Sequence, residues 1–286
     1  SNESAMVGGM SHLVSFKGTD TLPALIGVHQ YYGIAGSDTT RVAGYSIPAS
    51  AHTTITSWGK QKEINAYRNI LDTFLDSTGK IVACVSDSYD YENAVRNIWG
   101  KQLKTQIVNS GGTLVIRPDS GDPKEQVLKT LVWLDEAFGH HVNSKGYKVL
   151  KHVRIIQGDG VNEHSIVDIA EAVVDLGYSI DNVSFGMGGA LLQAVNRDKH
   201  SFAMKTCAVK IDEIWHAVFK DPKDDQGKSS EKIGRLTLVR KNDSGEYKTV
   251  PIDFNRSGHT EVLYVVWENG EFFNEVTFPE VIARAT

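Results

Sequence analysis

Leu114-Val115-Ile116-Arg117-Pro118-Asp119-Ser120-Gly121 sets the pattern by which the rest of the chain is understood. The apolar run Leu114–Ile116 is short and unbroken, as in a strand buried on both faces of a parallel sheet. Pro118 has no N–H to give to a ladder, so the strand stops there. Arg117 and Asp119 are left as a cation and a carboxylate on either side of a rigid turn. Gly121 lets the backbone bend or approach a ligand closely, and a helix-like segment starts near Pro123. An ordinary turn with a surface ion pair is spelled the same way. What favours a functional strand end is recurrence, with different polar residues each time.

Working outward, Ile81–Val85 ends in Ser86-Asp87-Ser88-Tyr89-Asp90, and a helix is expected over about 91–103. Val153–Ile156 ends in Gln157-Gly158-Asp159-Gly160. Asn162 then serves as N-cap for a helix whose stripe is Ile166, Ile169, Ala170 and Val173. Val183-Ser184-Phe185 ends in Gly186-Met187-Gly188-Gly189, before a helix over 190–195. The helix Pro123–Phe138 places Val127, Leu128, Leu131 and Leu134 at helical spacing. Upstream, Leu13-Val14-Ser15-Phe16 reads as a strand leading through Lys17–Thr21 into a helix over 22–32. A loop covers 33–40, Tyr45–Pro48 leads to Ala51-His52-Thr53-Thr54, and a further helix buries Tyr67, Ile70, Leu71 and Phe74.

Repeated strand, loop, helix units imply parallel strands with right-handed crossovers. No Gly-x-Gly-x-x-Gly follows the first strand, which disfavours a dinucleotide-binding sheet. Polar loops at many strand ends favour a barrel. After about residue 202 the texture changes to hairpins: Leu236–Arg240 before Asn242-Asp243-Ser244-Gly245, and Tyr264–Trp267 before Glu268-Asn269-Gly270. The polar stretch 221–232 reads as a mobile loop. The expected fold is therefore α/β, a (β/α) barrel with a small attached antiparallel β element, and the resemblance given below implies an irregular barrel. Residues 1–12 are a lead-in, 13–205 the catalytic barrel, and 206–286 complete the barrel and carry the antiparallel element and a terminal helix. So short a lead-in suggests a chain that begins inside a longer protein.

The 286 residues suffice for a large core. With 30 basic and 35 acidic side chains the net charge is −5 and no basic patch stands out, so nucleic acid is not an expected partner. No apolar run reaches membrane-spanning length, and the residues at the start of the chain are not expected to act as a signal peptide. Cys84 and Cys207 sit in apolar, strand-like runs, which suits a reducing, cytoplasmic setting.

The loops differ in chemistry. Gly186-Met187-Gly188-Gly189 before a helix is a phosphate signal, because glycines let backbone N–H groups face an anion. Arg197 and Lys205 lie downstream to add full charge. Close helix–strand packing demands small residues too. Asp159, held between two glycines, suits a sugar diol, or simply caps a turn. Asp87, Asp90 and Asp119 are candidates for Mg²⁺ or for ribose hydroxyls, with a purely structural use at helix starts as the competing account, most of all for Asp87. His52 stands alone: no His-x-x-x-His, Cys-x-x-Cys or Gly-x-Ser-x-Gly is present, so zinc and serine hydrolysis lack their usual signals. Together the loops suit a phosphorylated sugar with a metal, reacting through an oxocarbenium-like state that fixed carboxylates stabilise.

These residues resemble the nicotinamide phosphoribosyltransferases of the type II phosphoribosyltransferase family. The resemblance runs through Phe16–Thr21, Gly44–Ala49, His52–Lys60, Val85–Asp90, Ile116–Gly121, Ile156–Val161, Phe185–Gln193 and Val218–Pro222. It implies transfer of phosphoribose from phosphoribosyl pyrophosphate to nicotinamide, with ATP as co-substrate and Mg²⁺, in a homodimer whose site lies at the subunit interface. It makes His52 the phosphorylated histidine, assisted by Asp90, and Asp90 and Asp119 the metal ligands. Asp20 would accept from the carboxamide and repel nicotinate. Ser46 and Ser86 would line the pocket, and Arg117 would flank the ring. Asp119, Gly158 and Asp159 would meet the ribose, and Gly188, Gly189, Arg197 and Lys205 the phosphates. Ala51 stands where the family usually has Glu, and the chain begins well inside the family pattern. Competing expectations are a nicotinate phosphoribosyltransferase, a truncated non-catalytic phosphate-binding homologue, and a generic sugar-phosphate isomerase barrel.

Overall fold

The computed structural model describes residues 2–33, 42–75, 77, 79–194, 196–199, 203–219 and 233–286. The polar loops expected at 34–40 and 221–232 lie outside these residues. Two compact units are present, Ser1–Val195 with Phe278–Thr286, and Asn196–Thr277.

The first unit opens with α1 (Asn2–Leu13) and α2 (Leu22–Tyr32). Pro23 in the first turn of α2 and the left-handed Gly33 after it (φ 59°) mark its two ends. The strand expected at Leu13–Phe16 is not formed. Leu13 closes α1 and is buried, Val14 packs beside it, and Phe16 is 67% exposed, so adjacent rather than alternate residues turn inward, unlike a strand face. Only Gly18 joins the parallel series, as a bridge to Tyr45.

The chain continues through α3 (His52–Thr56), a 3₁₀ turn at Lys60–Lys62 and α4 (Glu63–Phe74), which buries Ala66, Tyr67, Ile70 and Leu71 but leaves Phe74 exposed. β1 (Ile81–Val85) follows, then α5 (Tyr91–Asn93), a π-helical segment (Ala94–Gln102) and α6 (Lys104–Ser110). The expected single α-helix here is replaced by wider turns. The Leu103 amide donates to the Ile98 carbonyl, five residues back, at 2.8 Å. Buried Ala94 and Val95, Ile98 and Trp99, then Leu103 and Ile107 repeat at the longer spacing that such turns require. Next come β2 (Thr113–Arg117), α7 (Pro123–Phe138), the hairpin β3 (His140–Val142) and β4 (Lys148–Leu150), and β5 (Val153–Gln157). After them stand α8 (Glu163–Asp175), β6 (Val183–Phe185) and α9 (Gly189–Leu192). Asp122 and Asn162 cap α7 and α8 by accepting backbone N–H bonds. Helix α9 is a single turn, shorter than the 190–195 helix expected.

The sheet runs β1-β2-β5-β6 and every pairing is parallel. Beside β1, Ala83 donates to Pro48 and accepts from Ser50, so the segment before α3 extends the same series. Among the described residues no pairing joins Gly18 to β6. This is the expected α/β class. Leu114 and Ile116 on β2 have no exposed surface, as expected of a strand covered on both faces, and the core around them includes Trp99, Leu131, Leu134 and Ile155. Burial pushes the Cys84 thiol up to about 12, which makes it an inert core residue.

The second unit is antiparallel: the hairpin β7 (Ala208–Ile211) and β8 (Ile214–Ala217), a three-stranded sheet and a short pair. Strands β9 (Leu236–Lys241) and β10 (Tyr247–Pro251) form the expected hairpin around Asp243–Gly245, and β11 (His259–Glu261) adds to the other edge. The second expected hairpin is smaller than its sequence suggested. Only β12 (Trp267–Glu268) and β13 (Glu271–Phe272) form strands, and Tyr264–Val266 stay exposed, with the Val266 carbonyl accepting from the Phe273 amide at 3.0 Å. The last helix, α10 (Phe278–Ala285), returns to the first unit and packs Phe278 against Leu13 and Val28. Among the described residues no helix is long and apolar enough to cross a membrane.

One polar knot ties α7 to the β3–β4 hairpin and to the turn after α8. Asp135 accepts from His140 Nδ1 (2.6 Å), Tyr178 Oη (2.7 Å) and Lys148 Nζ (3.4 Å). Burial opposes its charge, but these bonds hold the carboxyl below its ordinary range. A carboxyl depressed in the folded state contributes stability that is complete above its unfolded pKa and is lost as pH falls through the folded value. Asp135→Asn is therefore expected to lower stability by about 1–3 kcal/mol at neutral pH. The difference from wild type should shrink below about pH 4, as measured by urea unfolding at several pH values.

Candidate active site

The registers of the parallel strands place the polar loops level with one another. Val85 pairs with Arg117, so Asp87 stands beside Asp119 two residues further on. Ile116 pairs with Ile155 and Ile155 with Val183, which continues the same row through Gly158 and Gly186. The contacts agree. The Asp119 amide donates to Asp87 Oδ2 at 3.0 Å, and a Cβ on Gly186 would sit 3.4 Å from the Gly158 backbone.

His52 enters this row from α3. Its Nε2 lies 2.9 Å from Asp87 Oδ1, and its Nδ1 lies 3.7 Å from Asp119 Oδ2, beyond hydrogen-bond reach. Arg117 Nη2 is also 3.7 Å from Asp119 Oδ2, a loose ion pair. Asp87 Oδ2 additionally accepts from Ser120 Oγ at 2.6 Å. The Asp87 side chain is only 5% exposed. That burial opposes ionisation, yet the bonds from Ser120, His52 and the Asp119 amide hold the carboxyl below the usual range. An ionised, fixed acceptor thus lies against one edge of the His52 ring, with the other edge free.

Buried polar atoms normally find partners. Three without one are recorded among the described residues: Ser88 Oγ, Arg117 Nε and Gln157 Oε1. They belong to the strand ends of β1, β2 and β5. All three lie at the edge of the sheet that also carries Asp87 and Asp119.

The other expected site residues divide plainly. Ser46 Oγ donates to Asp20 Oδ1, so these two meet at the ends of neighbouring parallel segments. Gly158 and Asp159 follow β5, and Gly188 and Gly189 follow β6, all exposed. A Cβ on Gly188 or Gly189 would meet nothing within 4 Å, so internal packing does not demand glycine there. Since α9 is one turn long, the helix-dipole part of the phosphate expectation has little to act through. Ser86 is not a pocket residue in this structure. It has no exposed surface, and its hydroxyl donates to the Cys84 carbonyl and accepts from Trp99 Nε1. Asp90 is the N-cap of α5 and accepts from the Asn93 amide at 3.0 Å, while the carboxylate against His52 is Asp87. Arg197 and Lys205 are exposed and belong to the second unit, with Arg197 paired to Asp198. Asp87, Ser120 and Gln157 are the residues a reading of the sequence undervalues; the signal for Asp87 is the Val85–Arg117 register.

Among the described residues no group of three or more His, Cys, Asp or Glu side chains is arranged to hold a metal ion. Asp119, which shares one oxygen between Arg117 and His52, fits only a magnesium ion that brings its own phosphates and waters.

A sequence model of the nicotinate phosphoribosyltransferase (NAPRTase) family matches residues 1–250. The chain belongs to the nicotinate phosphoribosyltransferase family. Within that family it is 53% identical over 285 residues to the nicotinamide phosphoribosyltransferase of Xanthomonas campestris pv. campestris (strain 8004), covering 99% of this chain and 59% of that protein. It is 35% identical over 251 residues to the nicotinamide phosphoribosyltransferase of Mycoplasma genitalium, covering 83% of this chain and 51% of that protein. The chain thus spans between half and three-fifths of the length of these curated relatives. A nicotinate phosphoribosyltransferase structure from Porphyromonas gingivalis aligns with TM-score 0.39 at 16% identity, over 80% of this chain and 60% of that one.

Proposed function

We propose that the protein transfers phosphoribose from phosphoribosyl pyrophosphate to the ring nitrogen of nicotinamide, giving nicotinamide mononucleotide and pyrophosphate. ATP drives the reaction through a phosphohistidine at His52. The observation that carries this is the strand-end row: His52 Nδ1 and Arg117 Nη2 each 3.7 Å from Asp119 Oδ2, with Asp87 against the other edge of the His52 ring. The relatives' names support nicotinamide as the base.

In the transfer, the ring nitrogen attacks C1′ of the ribose, and the C1′–oxygen bond to pyrophosphate breaks with its electron pair leaving on pyrophosphate. Positive charge that develops on the ribose is stabilised by a fixed carboxylate, the part assigned to Asp119. Asp159 accepts ribose hydroxyls, and the exposed backbone at Gly188 and Gly189 receives phosphate. Arg117 flanks the base. Asp20 accepts from the carboxamide on the oxygen Ser46 leaves free, and disfavours a nicotinate carboxylate. Magnesium, when bound with pyrophosphate, would neutralise leaving-group charge, with Asp119 offering an oxygen and Asp90 at most a peripheral one. A cytoplasmic homodimer with its site at the subunit interface completes the proposal; the free cysteines suit that compartment, and the dimer rests on the family resemblance.

The test is to supply nicotinamide or nicotinate with phosphoribosyl pyrophosphate, Mg²⁺ and γ-labelled ATP. Nicotinamide mononucleotide, pyrophosphate and acid-labile label on His52 are expected. Preference for nicotinate would sink the amide assignment. Neither product nor label would favour the non-catalytic phosphate-binding homologue. Gly189→Val is expected to leave the unfolding midpoint within about 2 °C, because a Cβ there meets nothing within 4 Å. It should raise the KM for phosphoribosyl pyrophosphate by roughly tenfold. An unchanged KM would remove that loop from the phosphate site.

A further inference from the structure

We infer that α1 is a strut of this site, with one half fixed to the loop after β6 and the other to the Asp20–Ser46 pair. Gly8 and Gly9 are its positioning residues. At the first end, the Ser4 hydroxyl donates to the carbonyl of Leu192, the last residue of α9. One turn on, Gly8 lies so close to α9 that a Cβ would stand 2.9 Å from the Leu191 carbonyl oxygen and 3.3 Å from the Leu192 Cα. The amides of Leu191 and Leu192 donate back to the Gly188 carbonyl, at 3.2 and 2.9 Å, and that of Gln193 to the Gly189 carbonyl at 2.9 Å. A displaced α9 therefore carries the Gly188–Gly189 backbone with it. At the other end, a Cβ on Gly9 would lie 2.5 Å from Ala24 Cβ and 3.4 Å from Thr21 Cγ2. Buried Leu13 packs on Gly44, where a Cβ would lie 2.8 Å from Leu13 Cδ2. Thr21 follows Asp20, and Gly44 stands two residues before Ser46. The Thr19 amide donates to the Tyr45 carbonyl at 2.9 Å and the Tyr45 amide to the Lys17 carbonyl at 2.8 Å, so the two segments move as one.

Neighbouring residues on a helix point about 100° apart, so Gly8 and Gly9 face two different elements. Glycine is a poor helix former, and the two close approaches are what its use here permits. Among the described residues no strand pairing joins Gly18 to β6, while α1 touches the elements on both sides. The consequence for catalysis rests on the function proposed above, in which the loop after β6 takes phosphate and Asp20 takes the carboxamide. A rigid helix then sets the separation of those two subsites. Disturbing one end of it should weaken the substrate held at that end and spare the other.

The first measurement needs no activity. Amide hydrogen exchange in this chain should quicken by roughly tenfold over residues 189–194 in Gly8→Ala, with residues 17–24 as in wild type. Gly9→Ala should do the reverse, and Gly9→Ala combined with Ala24→Gly, which restores the space, should return residues 17–24 to the wild-type rate. Ser4→Ala should act as Gly8→Ala does, more weakly, and Val7→Ala, on the exposed side of α1, should change neither segment. Both segments quickening together in each variant, or neither responding, overturns the inference. If Gly8→Ala or Gly9→Ala does not fold, Ser4→Ala and the double variant decide it by the same pattern. The second measurement is steady-state kinetics on full-length protein. Gly8→Ala should raise the KM for phosphoribosyl pyrophosphate by roughly tenfold and leave that for nicotinamide within about twofold, with the opposite split in Gly9→Ala. Active variants in which both KM values rise together overturn the strut. Segment-specific exchange in a wild type that makes no nicotinamide mononucleotide would instead sink the proposed function and leave the strut standing.

Discussion

Alanine in place of Arg117 is expected to lower kcat/KM for nicotinamide by roughly 100-fold or more while the fold stays intact. The side chain contributes little to stability. Its ion pair with Asp119 is long at 3.7 Å, and its Nε is buried without a partner, so its burial is incompletely compensated. What β2 needs from this residue is backbone: the pairing with Val85, and the carbonyl that accepts from the Ser86 amide at 3.0 Å. Alanine keeps both. The functional loss is larger because a planar, permanently charged group is removed from the place assigned to the base. Lysine restores charge without the plane or the fork, so Arg117→Lys should fall between alanine and wild type. Rate constants and urea unfolding measured side by side decide the matter. Loss of stability in step with loss of activity would reduce Arg117 to a structural strand end.

The parallel strands were legible because their chemistry is local. Ile81–Val85, Thr113–Arg117 and Val153–Gln157 are short apolar runs stopped by proline, glycine or a polar cluster, and the structure ends them there. Helices α7 and α8 were legible for the same kind of reason, a capping residue followed by an apolar stripe. Leu13–Phe16 has the composition of a strand because a brief apolar run at a helix end is spelled the same way, and packing on α2 and α10 distinguishes the two. The site was legible as a set of loops but not as a set of contacts. Asp87 and Asp90 lie in one loop and either has the right chemistry to meet His52. The β1–β2 register brings Asp87 level with Asp119, while Asp90 is drawn off to start α5. Register is a property of paired strands and has no spelling in either strand alone. Ser86 illustrates the same limit: its partner, Trp99, reaches it only through the π turns.

Trp99→Ala is expected to be the most destabilising single change in the first unit, by about 3–5 kcal/mol. The indole has no exposed surface and stacks on Tyr67 with centroids 4.3 Å apart and planes 27° from parallel. Its Nε1 donates to Ser86 Oγ at 3.1 Å. The segment that carries it has little room to collapse into the space left behind. Gly100 already sits so close to α7 that a Cβ there would lie 3.1 Å from Ala137 Cβ, and the π turns are held in place by the residues they bury. Truncation therefore leaves a cavity that its walls fill poorly. Trp99→Phe separates the two contributions: it keeps most of the stack and removes the donor. Because Ser86 Oγ still donates to the Cys84 carbonyl, the lost bond should cost only about 1 kcal/mol. Function should follow a different order from stability. Ser86 is the residue before Asp87, so loosening Ser86 shifts the carboxylate that holds His52. Trp99→Phe should then slow His52 phosphorylation more than it lowers the urea midpoint, whereas a loss confined to stability would show that Trp99 serves the core alone.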